Sequence, residues 1–135
     1  MPIIYVSLRK GTSSAHRKAI AHSIQRAMID VLKVPNDDYF QVTHELEPEN
    51  MIYDPNFFGV ARGPNAVFVQ LFFNHRPAAL KAALFNAIAD NLVREPGLRR
   101  QDVLMSICET TFENWWAEGR TVNPQTGTDA RMSVR

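Results

Sequence analysis

Hydrophobic and polar positions alternate between two periods along this chain, and the changes of period mark its elements. From Ile3 to Leu8 ("IIYVSL") nearly every residue is apolar or β-branched, the pattern of a strand buried on both faces. "GTSS" then supplies a turn and a helix N-cap. After it, Ile20, Ile24, Ala27, Met28, Val31 and Leu32 recur at helical spacing and predict a helix ending near Lys33. The turn formers of "VPNDD" lead into "YFQVTHE", where Phe40 and Val42 alternate with Tyr39, Gln41 and Thr43 as in a strand. The second half repeats the order: "NAVFVQLFF" reads as a strand, Leu80, Leu84, Ile88 and Leu92 form a helical stripe, and "DVLMSICE" reads as a strand.

A displacement of 63 residues sets Tyr5 on Phe68, Val6 on Val69, Leu8 on Leu71 and Tyr39 on Asp102. That common offset argues for two copies of one β-α-β unit. The predicted fold class is therefore α+β: two tandem β-α-β units, residues 2–46 and 65–109, within a single domain spanning 1–120. Right-handed crossovers place both helices on one face of a four-stranded mixed sheet. The segment "EPENMIYDPNFFGVARGP" between the units is rich in turn formers and predicts a short hairpin or an irregular excursion. The polar tail, residues 121–135, carries no periodicity and suits disorder or subunit contacts. With helices on one face only, the other face of strands that are apolar on both sides is left bare, which predicts self-association.

Composition narrows the partners. Fifteen Lys and Arg against fourteen Asp and Glu give a net charge of +1, which offers no footprint for nucleic acid or an anionic membrane surface. No apolar run approaches a membrane span and the start does not read as a signal peptide, so a cytoplasmic location is expected. The single cysteine, Cys108, lies in the apolar run "VLMSIC" and reads as a small buried hydrophobe. His16, His22 and His44 lack metal-ligand spacing and are expected on solvated surfaces, so no metal is called for.

If the units pair antiparallel, strand one beside strand three, residues distant in sequence meet at one sheet edge. Pro2 precedes the first strand, Asp38 precedes the second, Arg76 follows the third and Trp115 follows the fourth. Loss of Met1 would leave Pro2 with a free secondary amine. A proline is also tolerated at the head of a strand because it lacks a ladder N–H. Asp37 and Asp38 in "PNDD" suit an Asx turn as well as a site. Arg76 stands at the positive end of the second helix, where a cation gains nothing from the helix dipole, which favours an anion-binding role. His75 is a secondary candidate. The "NWW" stretch predicts one core tryptophan and one that lines a pocket.

Together the initial "MP" before a strand, the doubled β-α-β unit, "VPNDDYFQV", "FFGVAR", "VFVQLFF", "RPAALK" and "ENWW" resemble the tautomerase superfamily. The resemblance is to its long, fused-repeat branch, which includes malonate semialdehyde decarboxylases, and covers Pro2 to about Arg120. It implies a homotrimer in which Pro2, freed by methionine removal, transfers a proton. It further implies that Asp38, or Asp37 by a one-residue slip, supplies the aspartate before strand two, that Arg76 binds a substrate carboxylate, and that Trp115 belongs to the pocket; His75 and Tyr39 are further substrate-binding candidates from their places in the sequence. The sequence departs from the family at three points. "NHRPAA" carries one arginine where a decarboxylase branch has two, Tyr39 replaces the arginine that commonly follows the aspartate, and "WWAEG" replaces "WSFG".

Proton transfer by an amine needs no metal or organic cofactor. A neutral Pro2 would move a proton beside a carbonyl while Arg76 grips the carboxylate, giving a keto-enol tautomerase for a small 2-oxo acid. A cationic Pro2 would act as an acid while carbon dioxide leaves, giving a decarboxylase or hydratase. The single arginine favours the tautomerase. A third reading keeps the fold as a binding or signalling module, with any catalysis vestigial.

Overall fold

The computed structural model describes residues 1–119, 123 and 125, and the expectation for the polar tail falls almost wholly outside them. Four strands, β1 (Ile3–Arg9), β2 (Gln41–Leu46), β3 (Val67–Asn74) and β4 (Val103–Thr110), form one sheet in the order β2-β1-β3-β4. β1 runs parallel to β2, β3 runs parallel to β4, and β1 and β3 are antiparallel at the centre. Two helices, α1 (Ser14–Leu32) and α2 (Ala78–Arg94), supply the crossovers. Shifted by 63 residues, each element of the first unit begins and ends within two residues of its counterpart in the second.

Local chemistry sets the helix ends. The Ser13 hydroxyl accepts the His16 backbone N–H at 3.0 Å and caps α1, and Lys33 closes it in the left-handed conformation at φ 60°. Pro77, with φ fixed at −58°, stands at the head of α2, so the chain leaving β3 turns into the helix without a side-chain cap. The C-terminal end of α2 is joined to the middle of α1. Ser23 Oγ donates to the Glu95 carbonyl at 2.6 Å, and Asn91 Nδ2 donates to the Ser23 carbonyl at 3.0 Å.

The core lies between sheet and helices. Ile4, Val6 and Leu8 of β1 and Val67, Val69, Leu71 and Phe73 of β3 are buried against Ile20, Ile24 and Met28 of α1 and Leu84, Ile88 and Leu92 of α2. The alternate residues, Ile3, Tyr5, Phe68 and Phe72, are half-buried on the open face. There Tyr5 stacks on His44 with centroids 5.4 Å apart and meets the edge of Phe72 at 5.5 Å.

Three details differ from the sequence reading or sharpen it. Cys108 is exposed rather than buried. It pairs with Phe72 in the register of β3 and β4, so strand alternation turns it to the open face, on an edge strand. In β2, Gln41 pairs with Ile4 and turns toward the helices, donating to the Ala21 carbonyl at 3.1 Å, so the apolar Val42 beside Tyr5 adds to the open face. The segment between the units is an irregular excursion with two 3-10 turns, Pro48–Asn50 and Phe57–Gly59.

Leu84 is fully buried between α2 and the sheet, so Leu84→Ala should cost about 2–5 kcal/mol in urea unfolding. Val93→Ala on the exposed side of α2 should change stability by less than about 0.5 kcal/mol.

Candidate active site

The antiparallel central pair brings the starts of β1 and β2 and the ends of β3 and β4 to one end of the sheet. Pro2 is buried at the head of β1, and Ile4 N–H donates to the Phe40 carbonyl at 3.0 Å, which ties that head to the loop before β2. In that loop a turn closes through Asp38 N–H to the Pro35 carbonyl at 3.0 Å. The Asp38 carboxylate is directed elsewhere: its Oδ2 lies 3.0 Å from the ammonium of Met1, with both side chains about four-fifths buried. A carboxylate is thus aimed at the amino end of the chain. Tyr39 is 59% exposed, so it stands beside this carboxylate but outside the packed site.

Across the same end, the chain leaving β3 forms the second cluster. Arg76 Nη1 donates to the carbonyls of Asn74 and His75 at 3.0 Å each, and its guanidinium lies over the Phe73 ring at 5.9 Å. These contacts hold a planar fork suited to a carboxylate at the sheet edge. Trp115 donates its indole N–H to Asn74 Oδ1 at 2.8 Å and is half-buried, whereas Trp116 is 76% exposed. Neither tryptophan is a core residue, which corrects that expectation: both follow the 3-10 turn Phe112–Asn114 past the end of β4, outside the buried cluster between sheet and helices. His75 is largely exposed, with Nδ1 3.2 Å from Glu109 Oε2.

Three residues here escaped the sequence reading. Glu109, at the end of β4, accepts the Arg76 backbone N–H at 2.8 Å and the Lys81 ammonium at 2.8 Å, so it fixes the turn that carries Arg76. Asn74 orients Trp115. Glu109 and Asn74 are signalled in sequence only by being polar residues at the ends of apolar strands, and Lys81 by a place one helical turn into α2.

Lys81, and after it the Arg76 backbone N–H, hold the Glu109 carboxyl below its ordinary range. A carboxylate with a lowered pKa contributes order that is complete above its unfolded pKa, about 4.3, and is lost as pH falls through the lower folded value. Glu109→Gln should therefore loosen the 75–77 turn at neutral pH. Amide exchange of Arg76 should rise in the variant at pH 7, and in the wild type only in acid.

With this geometry in view, comparison with known proteins gives a consistent answer. Two family models, each described as tautomerase enzyme, match residues 38–116 and 2–61. The chain is 31% identical over 116 residues to the probable tautomerase YusQ of Bacillus subtilis (strain 168), covering 85% of this chain and 91% of that one. It is similar in structure to the FG41 malonate semialdehyde decarboxylase inhibited by 3-bromopropiolate, with a TM-score of 0.78 and 29% identity over 84% of this chain and 87% of that one. The fold also matches a fused 4-OT symmetric trimer, with a TM-score of 0.72 at 19% identity over 88% and 94% of the two chains. The doubled β-α-β sheet and these matches, which between them run from residue 2 to residue 116, establish that the chain belongs to the tautomerase family.

Proposed function

We propose that this protein is a tautomerase in which Pro2, exposed as the terminal residue by loss of Met1, moves a proton at the carbon beside the carbonyl of a small 2-oxo acid. The observation that carries this reading is the Asp38 carboxylate, set 3.0 Å from the terminal ammonium at the sheet end that also holds Arg76. Arg76 grips the substrate carboxylate through paired N–H donors. The neutral amine takes the proton from the carbon next to the carbonyl, leaving an enolate, and the resulting ammonium passes that proton to the enolate oxygen, which completes the enol and restores the neutral amine; the same transfers reversed give the keto form. Trp115, anchored on Asn74, lines the pocket, with His75 and Tyr39 at its exposed margin.

Asp38 favours the ammonium form of an adjacent amine, whereas burial of Pro2 and the positive charge of Arg76 favour the neutral form. If Asp38 prevails, the amine acts as an acid toward a β-keto acid as carbon dioxide departs. The likeness to a malonate semialdehyde decarboxylase supports that second reading.

Assembly belongs to the same proposal. Tyr5, Phe68, Phe72 and Val42 make the open face a half-buried apolar surface, and a fused 4-OT neighbour is a trimer. Three copies joined through these faces remove that surface from water. Sedimentation should give a trimer at micromolar concentration, and Phe72→Glu should give a monomer with lower activity.

Assays of the clipped protein on an enolised aryl-pyruvate and on malonate semialdehyde separate the two chemistries. Faster ketonisation than decarboxylation is expected, and activity on neither substrate would overturn the proposal. Arg76→Ala should lower kcat/KM at least about 100-fold, mainly through KM. Asp38→Asn removes a charge that stabilises the ammonium, so the acidic limb of the tautomerase pH profile should move to lower pH.

A further inference from the structure

The repeat that builds the candidate active site also builds its counterpart at the opposite end of the sheet, where β1 finishes and β3 begins. A cavity of about 440 Å³ lies there, with Arg9, Lys10, His16, Asn65, Arg99 and Asp102 in its walls. The 63-residue shift sets Asn65 on Pro2 and Asp102 on Tyr39, so the cavity occupies in the second unit the place of the candidate site in the first. Asn65 is internal. Its backbone nitrogen is an amide without basicity, and the cavity cannot use it for proton transfer.

Of the cations in its walls, Lys10 pairs with Glu47 at 2.7 Å and Arg99 with Asp102, which leaves the charge of Arg9 for the cavity. Asp102 is the one carboxylate among its lining residues and its oxygens are already engaged: Oδ1 accepts the Gly63 N–H at 2.8 Å, and Oδ2 lies 3.1 Å from Arg99 Nε. Tyr53 donates its hydroxyl to the Gly63 carbonyl at 2.7 Å, and the Arg9 guanidinium stacks on the Tyr53 ring at 4.8 Å. Arg9 Nη2 donates to the Met51 carbonyl at 2.8 Å. The excursion between the units thus clamps Arg9 beside the cavity. Arg9 is half-buried, its Nε is buried without a hydrogen-bond partner, and it pairs with no carboxylate among the described residues. A guanidinium partly withdrawn from bulk water and compensated only by a carbonyl and a ring gains from an anion placed next to it.

We propose that this cavity is a non-catalytic binding site for a small oxyanion, anchored by Arg9, with Asp102 and Arg99 in its wall and with Gly63 and Tyr53 behind them. The anion is the carboxylate of a small organic acid or an inorganic phosphate, and the two are distinguished by titrating each separately.

The test is an amide-shift titration of the isotope-labelled, clipped protein with pyruvate and, in a second series, with inorganic phosphate. Saturable shifts are expected at Thr12, Gly63 and Gly97, separate from those at Arg76. They should persist in Arg76→Ala, so this site and the proposed active site stand or fall independently. Arg9→Gln should weaken the cavity response at least about tenfold while turnover stays within about twofold of wild type. Should Arg9→Gln fail to fold, Arg9→Lys keeps the charge without the planar fork and should bind more weakly than wild type. Saturation by pyruvate alone identifies an organic carboxylate as the ligand class, by phosphate alone an inorganic one, and by both a general oxyanion site. No saturable shift with either anion in the wild type, or saturation unchanged in Arg9→Gln and Arg9→Lys, would overturn the proposal.

Discussion

The antiparallel pairing of β1 with β3 is the constraint on which the rest of the molecule depends. Within each unit the strands are parallel, and a parallel pair needs a helical crossover of its own. Two such units bury a common core only if their helices fall on the same side, and the antiparallel seam between Ile3–Ser7 and Phe68–Phe72 achieves this. The same seam reverses the second unit relative to the first. Two strand starts and two strand ends consequently share each end of the sheet, so every site drawn from this fold combines residues far apart in the chain.

Much of this was legible in the sequence because the two periods are clean. Apolar β1 and β3 and the stripes Ile20–Leu32 and Leu80–Leu92 gave the elements, and the 63-residue offset gave their doubling. The edge strands were harder to read. β4 carries Cys108 in an apolar run, yet alternation and register turn that residue to the open face, and no local pattern separates the two faces of an edge strand. Gln41 shows the converse, a polar residue turned toward the helices because α1 offers it a carbonyl.

The candidate site was legible to the extent that it follows from strand direction. Pro2, Asp38, Arg76 and Trp115 stand at the end of the sheet where antiparallel pairing puts them. Their supports were not legible. Glu109 holds the turn carrying Arg76 through a backbone N–H and a lysine 28 residues away, a relation set by tertiary packing alone. The same limit hid the clamp on Arg9, whose partners Met51 and Tyr53 lie in a segment without periodicity.

The electrostatic design of the proposed site concentrates on one group, the amine nearest Asp38. With Met1 present, that amine is the methionine's, and the Pro2 nitrogen is an amide that cannot carry a proton between substrate atoms. The most direct measurement is therefore turnover by two preparations distinguished by intact mass, one with Met1 removed and one retaining it. The account predicts that the clipped form is active and the retained form nearly inert; equal activity in both would show that the amino-terminal proline is not the proton carrier.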